Sequence, residues 1–191
     1  VNLTGATNIL KQRGSVLPCV HSATPKIIPI LKPTFIRQGN FQHFWPMVSD
    51  LTRAVKQREF NGIREPKYES IINPTFNEVI EWLEDVPTNS VWCIDIETRA
   101  NHLACFSVAY ASRAICIPIQ APSGPAFNVV DESKIWSTLQ DLMNRNPNLI
   151  GQNLTFDLNY LFDYGLEPSG IFMDTMISHR LLYPEFPRGL D

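Results

Sequence analysis

From residue 75 onward, apolar and polar positions alternate between helical and strand periods in regular succession. Thr75 stands as an N-cap with Glu78 three residues later, a capping box ahead of Phe76, Val79, Ile80 and Leu83. That helix should end within residues 85–90. Residues 91–98 form a short apolar run rich in β-branched and aromatic side chains, which predicts a buried strand. Residues 103–110 and 113–119 predict two more strands, joined by a turn at Ala111 and Ser112. The three strands should make an antiparallel meander. A Pro-, Gly- and Ser-rich loop over 120–130 precedes a helix over 131–145, with Ile135, Leu139, Leu142 and Met143 inward and Pro147 as its stop. Residues 149–157 predict a short strand running into a helix that packs Leu158, Leu161 and Phe162 and ends at Gly165.

The first third is patterned more weakly. Residues 2–10 suit a remnant helix, and Arg13-Gly14-Ser15 a turn. Residues 26–31 read as a short strand at a sheet edge, because Pro29 cannot donate to a ladder. A loop over 32–39 carries cations at both ends. Trp45, Val48, Leu51, Ala54 and Val55 then recur at helical spacing over 45–57, and Pro46 is tolerable in the first turn. Residues 59–74 are polar and punctuated by Pro66 and Pro74, as in a connector. The expected organisation is a small partial α/β segment over 1–58, a linker over 59–74 and an α/β domain over 75–191. The start at Val1 and the stop at Asp191 both read as cut ends.

Charge sharpens this division. Residues 1–62 hold eight Lys/Arg against two Asp/Glu, net +6, whereas residues 63–191 hold eight against seventeen, net −9. The first part is suited to face polyanions. An apolar fraction of 44% supports an ordinary core. No apolar run reaches the ~18 residues of a membrane span, and no signal-peptide pattern opens the chain, so a cytoplasmic protein is expected. Cys19, Cys93, Cys105 and Cys116 form no CxxC pair; the last three lie in strand-like runs and read as reduced core residues.

Candidate chemistry lies where acids interrupt this pattern. Asp95 and Glu97 are two apart on a strand, so they project from one face. Paired anions beside apolar surroundings repel and are poorly solvated, a cost that a divalent cation removes. Asn153 and Asp157 are four apart and share one face of a helical turn. Three carboxylates from two elements, with an amide, make an oxygen-only site suited to Mg²⁺ or Mn²⁺.

In order, Asp95-Ile96-Glu97-Thr98, Asn153-x-x-x-Asp157 and Asp174-Thr175-Met176 opening a helix that ends in Leu181-Leu182-Tyr183-Pro184 closely resemble the DnaQ-like 3′→5′ exonucleases. The match is nearest to the proofreading domain of family A DNA polymerases and covers about residues 76–191. It implies a ribonuclease-H-like fold and two metal ions about 4 Å apart on the scissile phosphate of a single-stranded DNA 3′ end. Asp95, Glu97 and Asp157 are the implied ligands and catalytic residues. Thr98 and Asn153 would contact the terminal nucleotide, Phe156 would stack near it, and nucleoside 5′-monophosphates would leave. The third motif of the family, Tyr-x-x-x-Asp or His-x-x-x-x-Asp, is not supplied by anything after Arg180. The expectation is a fragment cut before its fourth ligand, with low activity, from a bacterial or phage polymerase. Asp174 reads as the N-cap of its own helix and His179 as packing or surface. DNA affinity would come from the basic first part or from a fused polymerase domain.

Residues 1–58 loosely resemble the carboxy-terminal end of the uracil-DNA glycosylase superfamily: a strand, then Pro29-x-Leu31-x-Pro33-Thr34-x-x-Arg37, then a helix opening on Trp45. Lys32 stands where that family places a catalytic His, which leaves a DNA-contacting loop or a plain basic loop. Other readings of the whole chain are an RNA-trimming exonuclease and a non-catalytic module that positions DNA.

Overall fold

The computed structural model describes residues 3–4, 8–64 and 67–184. The chain divides into two compact units, Val1–Pro66 with Arg180–Asp191, and Lys67–His179.

In the first unit, helix α1 (Ile9–Gln12) is capped by Asn8, whose side chain accepts from Leu10 N and Lys11 N. The helix expected over 2–10 therefore begins at Ile9, and part of that stretch lies outside the described residues. Strands β1 (Leu17–Cys19) and β2 (Ser22–Ile27) form an antiparallel ribbon. The strand expected over 26–31 is thus displaced toward the amino terminus and ends at Ile27. Residues 32–39 are not a plain loop either. They contain helix α2 (Pro33–Arg37), with Pro33 at its start, where a fixed φ favours the first turn. Helix α3 (Phe44–Lys56) is where periodicity placed it, followed by a 3₁₀ turn, Gln57–Glu59. Its apolar residues Trp45, Leu51 and Val55 are nevertheless exposed. Polar ties do much of the holding: Arg13 Nη1 meets both oxygens of buried Asp50 at 2.9 Å, and Arg53 donates to Gly14 O at 3.1 Å.

The second unit is an α/β mixed sheet of six strands in the order β10-β9-β4-β5-β6-β3. They are β3 (Glu69–Ile72), β4 (Trp92–Arg99), β5 (His102–Tyr110), β6 (Arg113–Pro118), β9 (Leu149–Gly151) and β10 (Ile171–Asp174). A short hairpin of β7 (Gln120–Ala121) and β8 (Gly124–Pro125) stands apart within the expected loop. The meander β4-β5-β6 is antiparallel, and β9 and β10 continue parallel from β4. This is the sheet expected of a ribonuclease-H-like fold, flanked by helices. The expected connector over 59–74 carries an edge strand, because β3 pairs parallel with β6.

Helix α4 (Phe76–Asp85) opens on the predicted capping box at Thr75 and Glu78. Helix α5 (Val129–Arg145) starts two residues before the predicted point, capped by Asn128. Both lay their apolar faces on the sheet, with Trp82, Leu83, Leu139 and Leu142 meeting Trp92, Ile94 and Phe106 in one core cluster. Arg145 joins the two helices by donating to Leu83 O at 2.6 Å, at the carboxyl end of α4. Helices α6 (Leu154–Asp163) and α7 (Thr175–Leu182) follow β9 and β10 directly.

Strand β4 is not buried on both faces as its apolar run suggested. Trp92, Ile94 and Ile96 face the core, while Asp95 and Glu97 are exposed and Cys93 is half-buried. Cys105 and Cys116 are also half-buried free thiols, not core residues. Among the described residues, no helix is long and apolar enough to cross a membrane.

Candidate active site

The site forms where the parallel strands β9 and β10 end together and β4 runs on beyond them. β9 pairs with β4 only at Trp92 and Cys93, then leaves the sheet after Gly151. Beyond that point, the edge of β4 has lost its neighbour just where Asp95 and Glu97 lie. An unpaired buried amide there is costly. Asp157, in the first turn of α6, satisfies it: Oδ1 accepts from Ile96 N–H at 2.9 Å. The backbone between the two strand carboxylates thereby holds the third. Asp157 is 3% exposed, a buried carboxylate.

Electrostatics tie these groups together. Asp95 is exposed at its outer side, yet partial desolvation of its carboxyl raises it above the ordinary 3.8, and the Glu97 charge adds to the rise. Asp157 is pushed up to about 6, chiefly by burial and also by the charges of Asp95 and Asp174, against the lowering effect of the Ile96 amide. Asp95 is thus the member coupled to both of the others. A β-bulge falls between Glu97 and Thr98, where the ladder to β5 shifts register. Bulges of this kind re-aim side chains beside active sites.

The substrate-contact candidates sit at the rims. Thr98 is half-buried just past the bulge. Asn153 is exposed and left-handed (φ 56°, ψ 45°) at the entry of α6, and its side chain makes no cap hydrogen bond. It lies ahead of the helical turn that carries Asp157, so the two do not share a helical face as their spacing suggested. Phe156 is 44% exposed, its ring 5.2 Å from that of Tyr160. Among the described residues, no hydrogen bond joins the Thr98 or Asn153 side chain to the carboxylates.

A scan against protein families matches residues 73–191 to the 3′–5′ exonuclease family. The chain belongs to this family. A search of curated proteins found no match. Membership implies nucleic acid as the substrate class, and the family generally works with divalent metal ions. Asp95, Glu97 and Asp157 would suit such an ion in chemistry: the donors are hard oxygens, and the repulsion among them is what a cation relieves. Among the described residues, however, no three His, Cys, Asp or Glu side chains converge into a ready ligand set.

Sequence reasoning missed one participant. Asp174 caps α7 as expected, accepting from Met176 N–H at 2.9 Å. It also accepts from Leu154 N–H at 2.9 Å and so caps α6 as well. No local sequence signal announces this second cap, which depends on β10 lying parallel beside β9 so that Asp174 faces Gly151 in the ladder.

Proposed function

We propose that this chain is a metal-dependent 3′→5′ exonuclease that trims single-stranded DNA ends to nucleoside 5′-monophosphates. The observation that carries this reading is the seating of buried Asp157 on the Ile96 amide, between Asp95 and Glu97. In this reading Asp95, Glu97 and Asp157 hold Mg²⁺ or Mn²⁺. Bound there, the metal supplies charge neutralisation for the scissile phosphate and the departing 3′ oxygen. Asn153 and Thr98 contact the terminal nucleotide. The exposed ring of Phe156 offers a stacking surface, a contact worth about 1–3 kcal/mol per base. Residues 75–191 carry this chemistry, within a proofreading polymerase or replication protein of a bacterial or phage-infected cytoplasm.

The excess of acids in the nuclease part does not oppose substrate binding, because phosphates approach the bound metal. The experiment is release of mononucleotides from single-stranded DNA and RNA of one sequence, in Mg²⁺, in Mn²⁺ and in EDTA. Metal-dependent release from DNA with 5′-phosphates on the products is the expected result. Faster release from RNA would instead favour the RNA-trimming reading. Release that persists in EDTA would remove the metal from the account.

A further inference from the structure

Asp174 ends β10, and its carboxylate gathers four backbone N–H groups from the starts of two helices. At the start of α6, Oδ1 accepts from Asn153 at 3.2 Å and Oδ2 from Leu154 at 2.9 Å. At the start of α7, Oδ1 accepts from Met176 at 2.9 Å and Ile177 at 3.3 Å. The first amides of a helix lack intrahelical partners and favour an anion. One carboxylate therefore ties both helix starts to the end of one strand. Its neighbour Thr175 strengthens the tie, with Oγ1 3.1 Å from Gly151 O.

An N-cap residue ordinarily uses its own side-chain oxygen for this purpose. Asn153 occupies the N-cap position of α6 and does not. Asp174, 21 positions away, instead serves the Asn153 and Leu154 amides at the same helix start. The Asn153 side chain is left exposed and outside the cap. The same first turn is pinned a second time by Asp157 on the Ile96 amide. Two carboxylates therefore fix the entry of α6, one from the helix and one from β10.

We propose that Asp174 is a positioning residue of this site: by capping α6 from β10 it sets where Asp157 meets β4 and frees the Asn153 amide for a ligand. The proposal rests on the reading of the carboxylates as a metal and nucleotide site. Asp174 itself needs no contact with metal or substrate.

The test uses the whole chain with Asp174→Ala, which removes both acceptor oxygens and with them all four hydrogen bonds, and Asp174→Asn, which keeps one oxygen and the side chain's shape. Asp85→Asn serves as a control, because it breaks an ion pair with Arg113 without touching α6. Two quantities are read: Mn²⁺ affinity by titration and amide hydrogen exchange. The expected result is Mn²⁺ binding weakened about tenfold or more by Asp174→Ala, as for other outer supports of metal ligands, and less by Asp174→Asn. Asp85→Asn should leave it unchanged. Exchange should quicken in Asp174→Ala at Asn153, Leu154 and Ile96, while Ile94 keeps its protection. Unchanged Mn²⁺ affinity in both Asp174 variants, beside faster exchange at Leu154, would overturn the proposal and leave a plain helix cap. If the wild-type chain binds no Mn²⁺, the metal reading itself fails. The Ile96 amide then decides the positioning role: faster exchange supports it and unchanged exchange overturns it. Should Asp174→Ala fail to fold, Asp174→Asn carries the same comparisons with smaller shifts.

Discussion

Asn153 combines a left-handed backbone, φ 56°, with an exposed amide, and these two properties can be separated by substitution. Asn and Gly visit that region readily, whereas other residues incur roughly 1–2 kcal/mol of strain. Asn153→Gly should keep the melting temperature near wild type and still lower affinity for a DNA 3′ end. Asn153→Ala should lower both. Full DNA affinity in the Gly variant would show that only the backbone matters. Asp157 makes a prediction in pH. Its carboxyl ionises near 3.8 when unfolded and at about 6 in the fold. Above both values the fold bears the whole cost of a buried charge. As pH falls through the folded value the fold takes up the proton and gains stability, a gain complete below the unfolded value. Without metal, Asp157→Asn, which retains an oxygen for the Ile96 amide, should melt higher than wild type at pH 8. The gap should close as pH falls toward 5. A gap that stays constant across that range would contradict the assignment.

The decisive elements are β9, the turn after it and the start of α6. A Cβ on Gly151 would collide with the buried Leu154 side chain. Gly151→Ala should therefore force α6 away from β4 and destabilise the protein by roughly 1–3 kcal/mol, as overpacking does. Thermal melting beside Mn²⁺ titration would check it, with both expected to fall. Elements with strong local signals were legible in the sequence. The capping box announced α4, and alternation with short turns announced the meander β4-β5-β6. What escaped depended on distant partners. Strand β3 is four residues long and polar at its start, and it exists because β6 offers an edge. The tie of Asp157 to the Ile96 amide was not legible, because its partner lies on a strand 61 positions away. Pairing of Asp95 with Glu97 was legible from period two alone, whereas the double cap by Asp174 required knowing that β10 lies parallel beside β9.

Across the whole molecule the two units differ in charge and in what holds them. The first has few buried apolar residues, Leu31 and Ile36 among them, and carries the excess of cations. A groove of about 900 Å³ on it is lined by Trp45, Thr52, Arg53, Lys56 and Phe60, among others, and the candidate carboxylates line no part of it. Exposed Lys32, Arg37 and Lys56 should contribute to holding a single strand. Changing all three to Ala should weaken DNA binding and flatten its salt dependence, each phosphate contact adding about 0.7 to the logarithmic slope. An unchanged slope would place DNA affinity in the acidic unit alone. The central claim is that Asp95, Glu97 and Asp157 form a metal-dependent nuclease site, and it is tested most directly on a 5′-labelled single-stranded DNA. Wild type and Asp95→Ala would be compared in Mg²⁺ and in Mn²⁺. The account predicts a ladder of products shortening from the 3′ end with wild type and none with Asp95→Ala. An equal ladder from the variant, or no shortening by wild type in either metal, would contradict it.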